Sequence, residues 1–239
     1  MSFMAERRRD IERYFRSENT FLAHGLRKVF PQKGSEYLRS SLKRTADIAL
    51  SLPLVVAGIP IVAGFAIARK VEDGENPFYS QERVDGSGNV FAIKKLKAMR
   101  RNNSSSAENI VYAATIKAED DPRNTKVGRI MQKYDLNELP QLYHIMAGKM
   151  SLVGIRVAPR YIFEHLQKIR PLTYREWERS YFEGKPGAMG LNAVFNKNPK
   201  KDSKRHHYDM LYARKASLGL DLLIFYKTMV NFFKKFADS

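Results

Sequence analysis

Ala46 to Ala68 reads ADIALSLPLVVAGIPIVAGFAIA, and Asp47 is the only charged residue in it. An apolar run of that length can cross ~30 Å of hydrocarbon as one helix. It begins too late in the chain, and is too long and too Pro-interrupted, to be a secretory signal peptide. Its flanks decide more than its length. Arg39, Lys43 and Arg44 precede it, and Arg69 and Lys70 follow it at once. Basic residues stay on the cytoplasmic side, so both ends belong on one face. Pro53 and Pro60 lie inside the run, and each removes a backbone donor and presses on the preceding turn. Ile59-Pro60, near the centre, is the natural corner of a helix-break-helix hairpin, provided protein or the segment itself satisfies the freed carbonyls. The alternative is a kinked helix that spans fully, for which basic flanks on both sides would be unusual. The flanks favour the re-entrant hairpin.

The chain as a whole is strongly basic. Its 239 residues hold 42 Lys+Arg against 25 Asp+Glu, a formal net charge of +17. Nucleic acid, anionic lipid or a phosphorylated substrate would each answer that excess. The length fits one large domain, or one domain with appendages. With no Cys, a disulfide framework, a thiol nucleophile and a thiolate metal site are excluded. The His residues show no metal-ligand spacing on a shared helical face. His206 and His207 read as part of a basic loop, Asn196 to His207 (NKNPKKDSKRHH).

The remaining segments have local signatures. Residues 1–40 are mixed and highly charged, with Ile11, Tyr14, Phe15, Phe21 and Leu22 as an interrupted apolar stripe. A basic amphipathic helix on the membrane surface fits it, and so does a mobile tail. Phe78 to Phe91 (FYSQERVDGSGNVF) predicts a β-hairpin around Asp-Gly-Ser-Gly. Arg100 to Glu108 (RRNNSSSAE) reads as a polar loop. Glu138 to Met146 has helical spacing at Leu139, Leu142 and Ile145, with Asn137 placed as N-cap and Pro140 in the first turn. Leu218 to Phe236 predicts a last helix whose apolar face can pack as core or lie in the interface, where Lys227, Lys234 and Lys235 would suit anionic headgroups. There is no G-x-x-x-x-G-K-[ST], G-x-G-x-x-G or H-E-x-x-H.

From Lys43 onward a series of motifs falls in one order. Lys43-Arg44-Thr45-Ala46-Asp47 leads into the apolar run, and Pro77 to Val84 reads PFYSQERV. Asp121 to Arg129 reads DPRNTKVGR, Leu136 to Leu142 reads LNELPQL, and Met150 to Gly154 reads MSLVG. Lys185-Pro186-Gly187, Gly190-Leu191, Asp209, Tyr212, Ser217 and Asp221 complete the set. This order resembles the bacterial sugar transferase family, the monotopic polyprenol-phosphate phosphoglycosyl transferases. The resemblance implies a helix-rich α/β (α+β) fold. A re-entrant anchor (43–70) follows a basic extension (1–42) and carries a compact cytoplasmic domain (71–239) with a small β-hairpin and amphipathic interface helices. It implies transfer of a phospho-sugar from a UDP-sugar to polyprenyl phosphate on the cytoplasmic face of the bacterial inner membrane, with membrane lipid, polyprenyl phosphate and nucleotide sugar as partners. A homodimer or a polysaccharide-assembly partner is open. Nucleic acid is not expected, because no nucleic-acid module accompanies the charge.

In such enzymes the Asp of an Asp-Glu pair attacks the donor phosphate, the Glu ligates Mg²⁺ and basic residues hold the pyrophosphate. A carboxylate nucleophile splits the transfer in two, and a divalent ion and fixed cations neutralise the donor's charge. Carried onto this chain, the resemblance puts Asn137 at the nucleophile position and Glu138 at the metal. It puts Arg83, Lys97, Arg123, Arg129, Arg156 and Lys185 on phosphate, and Ile59 and Pro60 at the membrane breakpoint. Asn137 is a departure, since a neutral amide offers no carboxylate. Asp135 can replace it only if that stretch is extended, because at i, i+2 on a helix the two side chains diverge. Further departures are Lys97 for an Arg, Ile155 and Val157 for prolines, Ala193 for a Gln, and Lys149 for an Asp before MSLVG. Two readings follow: an active transferase with an altered nucleophile or a direct displacement, or a non-catalytic relative that binds the same ligands or scaffolds an assembly.

Overall fold

The computed structural model describes residues 34–100, 121, 123–169, 171–195 and 202–237. Most of the segment 1–40 and nearly all of the loop expected at 100–108 lie outside these residues. Helix α1 (Gly34–Arg39) already belongs to the folded body, with Tyr37 in the core.

Helix α2 (Ser41–Asp73) carries the apolar run. Ser40 starts it from an extended backbone, its Oγ accepting the Lys43 N–H at 3.1 Å. Gly74 ends it in the left-handed region at φ 71, where its N–H bonds the Lys70 carbonyl. Between them the backbone stays helical through Pro53 and Pro60. The expected break at Ile59-Pro60 is therefore absent, and one continuous helix of about 50 Å replaces two short ones. The two prolines sit two turns apart on an exposed face, nearly opposite buried Ser51 and Gly58.

That helix lies along the body with one side bare. Lys43, Asp47, Ser51, Gly58 and Arg69 are buried, while Leu52, Val56, Ile59, Ile67 and Val71 are exposed. Near its start, Lys43 donates to the Val153 carbonyl at 2.8 Å and to Asp221 at 2.6 Å. Near its end, Arg69 donates to the Lys97 carbonyl at 2.8 Å, and Glu72 accepts the Lys126 N–H at 2.8 Å. Both ends are thus tied to the same body. It is long and apolar enough to cross a membrane, and its bare apolar side gives the chain a membrane location.

Strands β1 (Phe78–Val84) and β2 (Val90–Leu96) form the predicted antiparallel hairpin, Phe78 opposite Leu96 and Val84 opposite Val90. Next come α3 (Lys126–Lys133), a 3-10 turn (Leu136–Gln141) and α4 (Leu142–Met146). The helix predicted from Glu138 is thus split, and Asn137 sits inside the 3-10 turn rather than capping it. Asp135 occupies the cap position at φ 56. The reason is a double demand: Leu136 and Leu139 pack into a small core with Leu96 and Met131, while Leu142 and Ile145 belong to the main core. Strand β3 (Ser151–Val153) pairs in parallel with β4 (Gly187–Met189) across α5 (Arg160–Ile169) and α6 (Pro171–Tyr181).

After α7 (Leu191–Phe195), α8 (Asp202–Lys215) and α9 (Leu218–Ala237) close the main core around Trp177, Tyr181, Tyr212 and Ile224. The basic loop expected to reach His207 is helical from Asp202 onward. His206 is buried, edge-on to the Trp177 ring at 5.4 Å, and this packing holds it in α8. Helix α9 divides its faces: Leu220 and Ile224 are core, whereas Tyr226, Phe233 and Phe236 are exposed. The architecture is helix-rich α+β, with one long apolar helix on a compact domain.

Candidate active site

Three elements bring charge together around Glu138. In β2 the period of two turns Phe91, Ile93 and Lys95 inward, so a lysine stands where the pattern asks for an apolar residue. Its Nζ donates to Glu138 Oε1 at 2.7 Å. Arg156, just after β3, donates to the same oxygen at 3.1 Å. Gln141, from the same 3-10 turn, also hydrogen-bonds Glu138. Burial opposes ionisation of Glu138, but Arg156 and Lys95 outweigh it and hold the carboxyl down at about 2. Arg83, on β1, lies close enough to feel Glu138 and Arg156, and burial is the main influence lowering its pKa. Its Nη2 donates to Gln81, while its Nε is buried without a partner. Asn137 is itself buried, next in chain to Glu138.

The other residues marked from sequence lie apart. Lys97 pairs with Glu75 at 2.7 Å. Arg123 folds back on Asp121 with Nε at 2.8 Å and Nη2 at 2.6 Å. Arg129 stands exposed on α3, and Lys185 approaches Gly148 beside Arg44. Asp135 pairs with Lys235 of α9 at 2.6 Å. Ile59 and Pro60 are on the bare side of α2. The structure therefore unites Arg83, Arg156 and Glu138 and adds Lys95 and Gln141, which sequence reasoning missed. A lysine in phase with Phe91 and Ile93 was the available signal for Lys95.

Lys95 and Arg156 both hold one oxygen of Glu138, and Arg83 lies close enough to feel it. Such a cluster suits a ligand with several negative charges close together, and a diphosphate can take over the N–H groups that now hold Glu138. Among the described residues no three of His, Asp and Glu gather as a metal cage. Glu138 alone fits Mg²⁺ only where phosphate oxygens and water complete the shell, which is the ordinary manner of Mg²⁺ at nucleotides.

The profile of the bacterial sugar transferase family matches residues 38–235. This chain belongs to that family. It is 32% identical over 205 residues to a UDP-galactose-lipid carrier transferase of Erwinia amylovora, covering 79% of this chain and 39% of that protein. Against the exopolysaccharide production protein ExoY of Sinorhizobium fredii it is 31% identical over 196 residues, 78% of this chain and 83% of the relative. An undecaprenyl-phosphate galactose phosphotransferase of Salmonella typhimurium is 30% identical over 202 residues, 78% of this chain and 39% of the relative. The chain thus spans about two fifths of some curated relatives and most of ExoY. Within the family region lie all the residues of the Glu138 cluster.

Proposed function

We propose that this chain transfers a phospho-sugar from a UDP-sugar to a polyprenyl phosphate, at the cytoplasmic face of the bacterial inner membrane, in the first membrane step of glycoconjugate synthesis. The observation that carries this reading is the convergence of Lys95 and Arg156 on one Glu138 oxygen, with Arg83 close enough to feel the same carboxylate. The names of the Erwinia and Salmonella relatives supply the substrate class. The tethering of both ends of α2 to one body supports a helix that enters the bilayer without crossing it, which brings a lipid acceptor to the site.

In this reading Lys95, Arg156 and Arg83 hold the donor diphosphate and fix its direction. Preorganised cations act most where charge develops. Asn137 cannot form the family's covalent intermediate, so the route is a direct displacement. A phosphate oxygen of the acceptor bonds to the sugar-bearing phosphorus as the bond from that phosphorus to UMP breaks, and UMP leaves with the electron pair. Mg²⁺ carried in on Glu138 would add charge neutralisation at the diphosphate. A second reading has the chain bind these ligands without turnover, within a homodimer or an assembly partner's complex; buried Asn137 is the observation that favours it.

UMP release measured from full-length chain in lipid nanodiscs, with UDP-sugars and polyprenyl phosphate, separates the two. Acceptor-dependent release, lost in Arg156→Ala and without any covalent adduct by intact-mass spectrometry, is the expected result. Donor binding without release would establish the second reading, and absence of both would refute the site. An adduct on the unmodified chain, abolished by Asp135→Ala, would place the nucleophile at Asp135.

A further inference from the structure

A cleft of about 590 Å³ opens between the start of α2, the β1–β2 turn and segments 148–151 and 182–185. It shares no residue with the Glu138 cluster. Arg39, Lys43, Arg44, Lys149 and Lys185 line it, against Asp47, Asp85 and Glu183. Some of these charges are already committed. Lys43 and Asp47 pair at 2.9 Å. The Asp85 carboxylate turns into its own loop, accepting the N–H groups of Ser87 and Asn89 at 2.8 and 2.9 Å.

The remaining cations converge. Arg44 is fixed by the Ile145 and Met146 carbonyls at 2.6 and 2.7 Å, contacts that leave its charge intact. Gly148 stands at φ 77, and the place where a Cβ would sit there is 3.6 Å from Arg44 Nη2 and 3.6 Å from Lys185 Nζ. A guanidinium held by neutral groups and an ammonium thus approach one point, and the absence of a side chain keeps that point open. Lys149, the next residue, adds a further cation at the position where the family resemblance leads one to expect an acid. That exchange turns a balanced cleft into a cationic one.

We propose that this cleft binds a phosphate group, carried by a dissolved diphosphate or phosphoester or by an anionic lipid headgroup. The volume exceeds that of a lone ion and leaves room for the group the phosphate is attached to. Leu52, where the bare side of α2 begins, is about 12 Å along the helix from Arg44. Lipid phosphate and dissolved phosphate can therefore both reach it. The proposal rests on these cations alone and does not fall with the reading of the Glu138 cluster.

Calorimetry with inorganic pyrophosphate, on full-length protein in phosphatidylcholine nanodiscs without Mg²⁺, tests it. Arg156→Ala weakens the Glu138 cluster, so the cleft carries a larger share of the binding that persists. In that background Lys149→Asp should weaken binding about tenfold, because it reverses an adjacent charge, while Lys168→Asp, the same change on exposed α5, should not. Phosphatidylglycerol in the discs then identifies the source. Competition with pyrophosphate that disappears in Lys149→Asp marks a lipid headgroup, and no competition marks a dissolved ligand. If Lys149→Asp and Lys168→Asp behave alike in both kinds of disc, or Arg156→Ala alone removes all pyrophosphate binding and phosphatidylglycerol has no effect, the cleft is no phosphate site.

Discussion

Replacing Lys43 by Met should destabilise the protein far more than a surface lysine would. Lys43 is 4% exposed, and its partners Asp47 and Asp221 are 4% and 1% exposed. Its ammonium lies 2.9 Å from Asp47, 2.6 Å from Asp221 and 2.8 Å from the Val153 carbonyl. The Tyr37 and Tyr212 hydroxyls also donate to Asp221, at 2.8 and 2.7 Å. This network joins α2 to β3 and α9, so it holds the apolar helix on the domain. Methionine fills similar space but leaves two buried carboxylates with no cation. Breaking a buried pair from one side costs about 3–5 kcal/mol. At ~2–4 °C per kcal/mol for a chain of this size, the midpoint should fall by roughly 6–20 °C.

The pH dependence gives a second readout of the same change. Burial pushes the Asp221 carboxyl up, and Lys43 pulls it back. Without Lys43 it rises further, and a carboxyl raised in the folded state contributes stability that is lost as pH rises through its folded value. The deficit should therefore be smaller at pH 5 than at pH 8, and Asp221→Asn added to Lys43→Met should recover part of it. Trp177, the single tryptophan, is 1% exposed, so its fluorescence reports unfolding in detergent directly. A midpoint indistinguishable from wild type at both pH values would refute the argument.

Four further outcomes are expected. Burial lifts Asp209 to about 6 against Arg205 and the Trp177 N–H. The contribution of Asp209 to stability should thus fall by on the order of 2–3 kcal/mol from pH 4 to 7, and Asp209→Asn should remove that component in pH-resolved unfolding. Glu138→Gln frees Lys95 and Arg156, so pyrophosphate should bind roughly tenfold tighter without Mg²⁺ and gain less from adding it; equal affinities by calorimetry would remove Glu138 from the site. Cysteines placed singly at Ser35 and Ser87 should label from the same side of sealed vesicles, and labelling from opposite sides would establish a spanning helix. Gly128→Ala sets a Cβ 1.8 Å from the Ala98 carbonyl, a backbone contact that cannot yield cheaply. It should lower stability by about 1–3 kcal/mol by thermal unfolding.

The local features were legible in the residues alone. Hydropathy marks out the apolar stretch of α2, and alternation around a polar turn marks the β1–β2 hairpin, because burial of one face imposes a period on neighbours in sequence. Motif order was equally readable, and three of the charged residues it marked, Glu138, Arg83 and Arg156, lie near one another in the fold. What sequence could not reveal lies in contacts between distant positions. Lys95 and Glu138 are 43 residues apart, and Lys43 and Asp221 are 178 apart; no local pattern pairs them. The same holds for Lys97 and Arg123, whose charges are taken by Glu75 and Asp121. Asn137 lost its role as a cap because Leu136 and Leu139 must reach a different core from Leu142 and Ile145. Helical continuity through Pro60 likewise appeared only in the fold, where the body holds both ends of α2. Periodicity is a property of the chain, while the choice of partner for each buried charge depends on which surfaces the fold closes against each other.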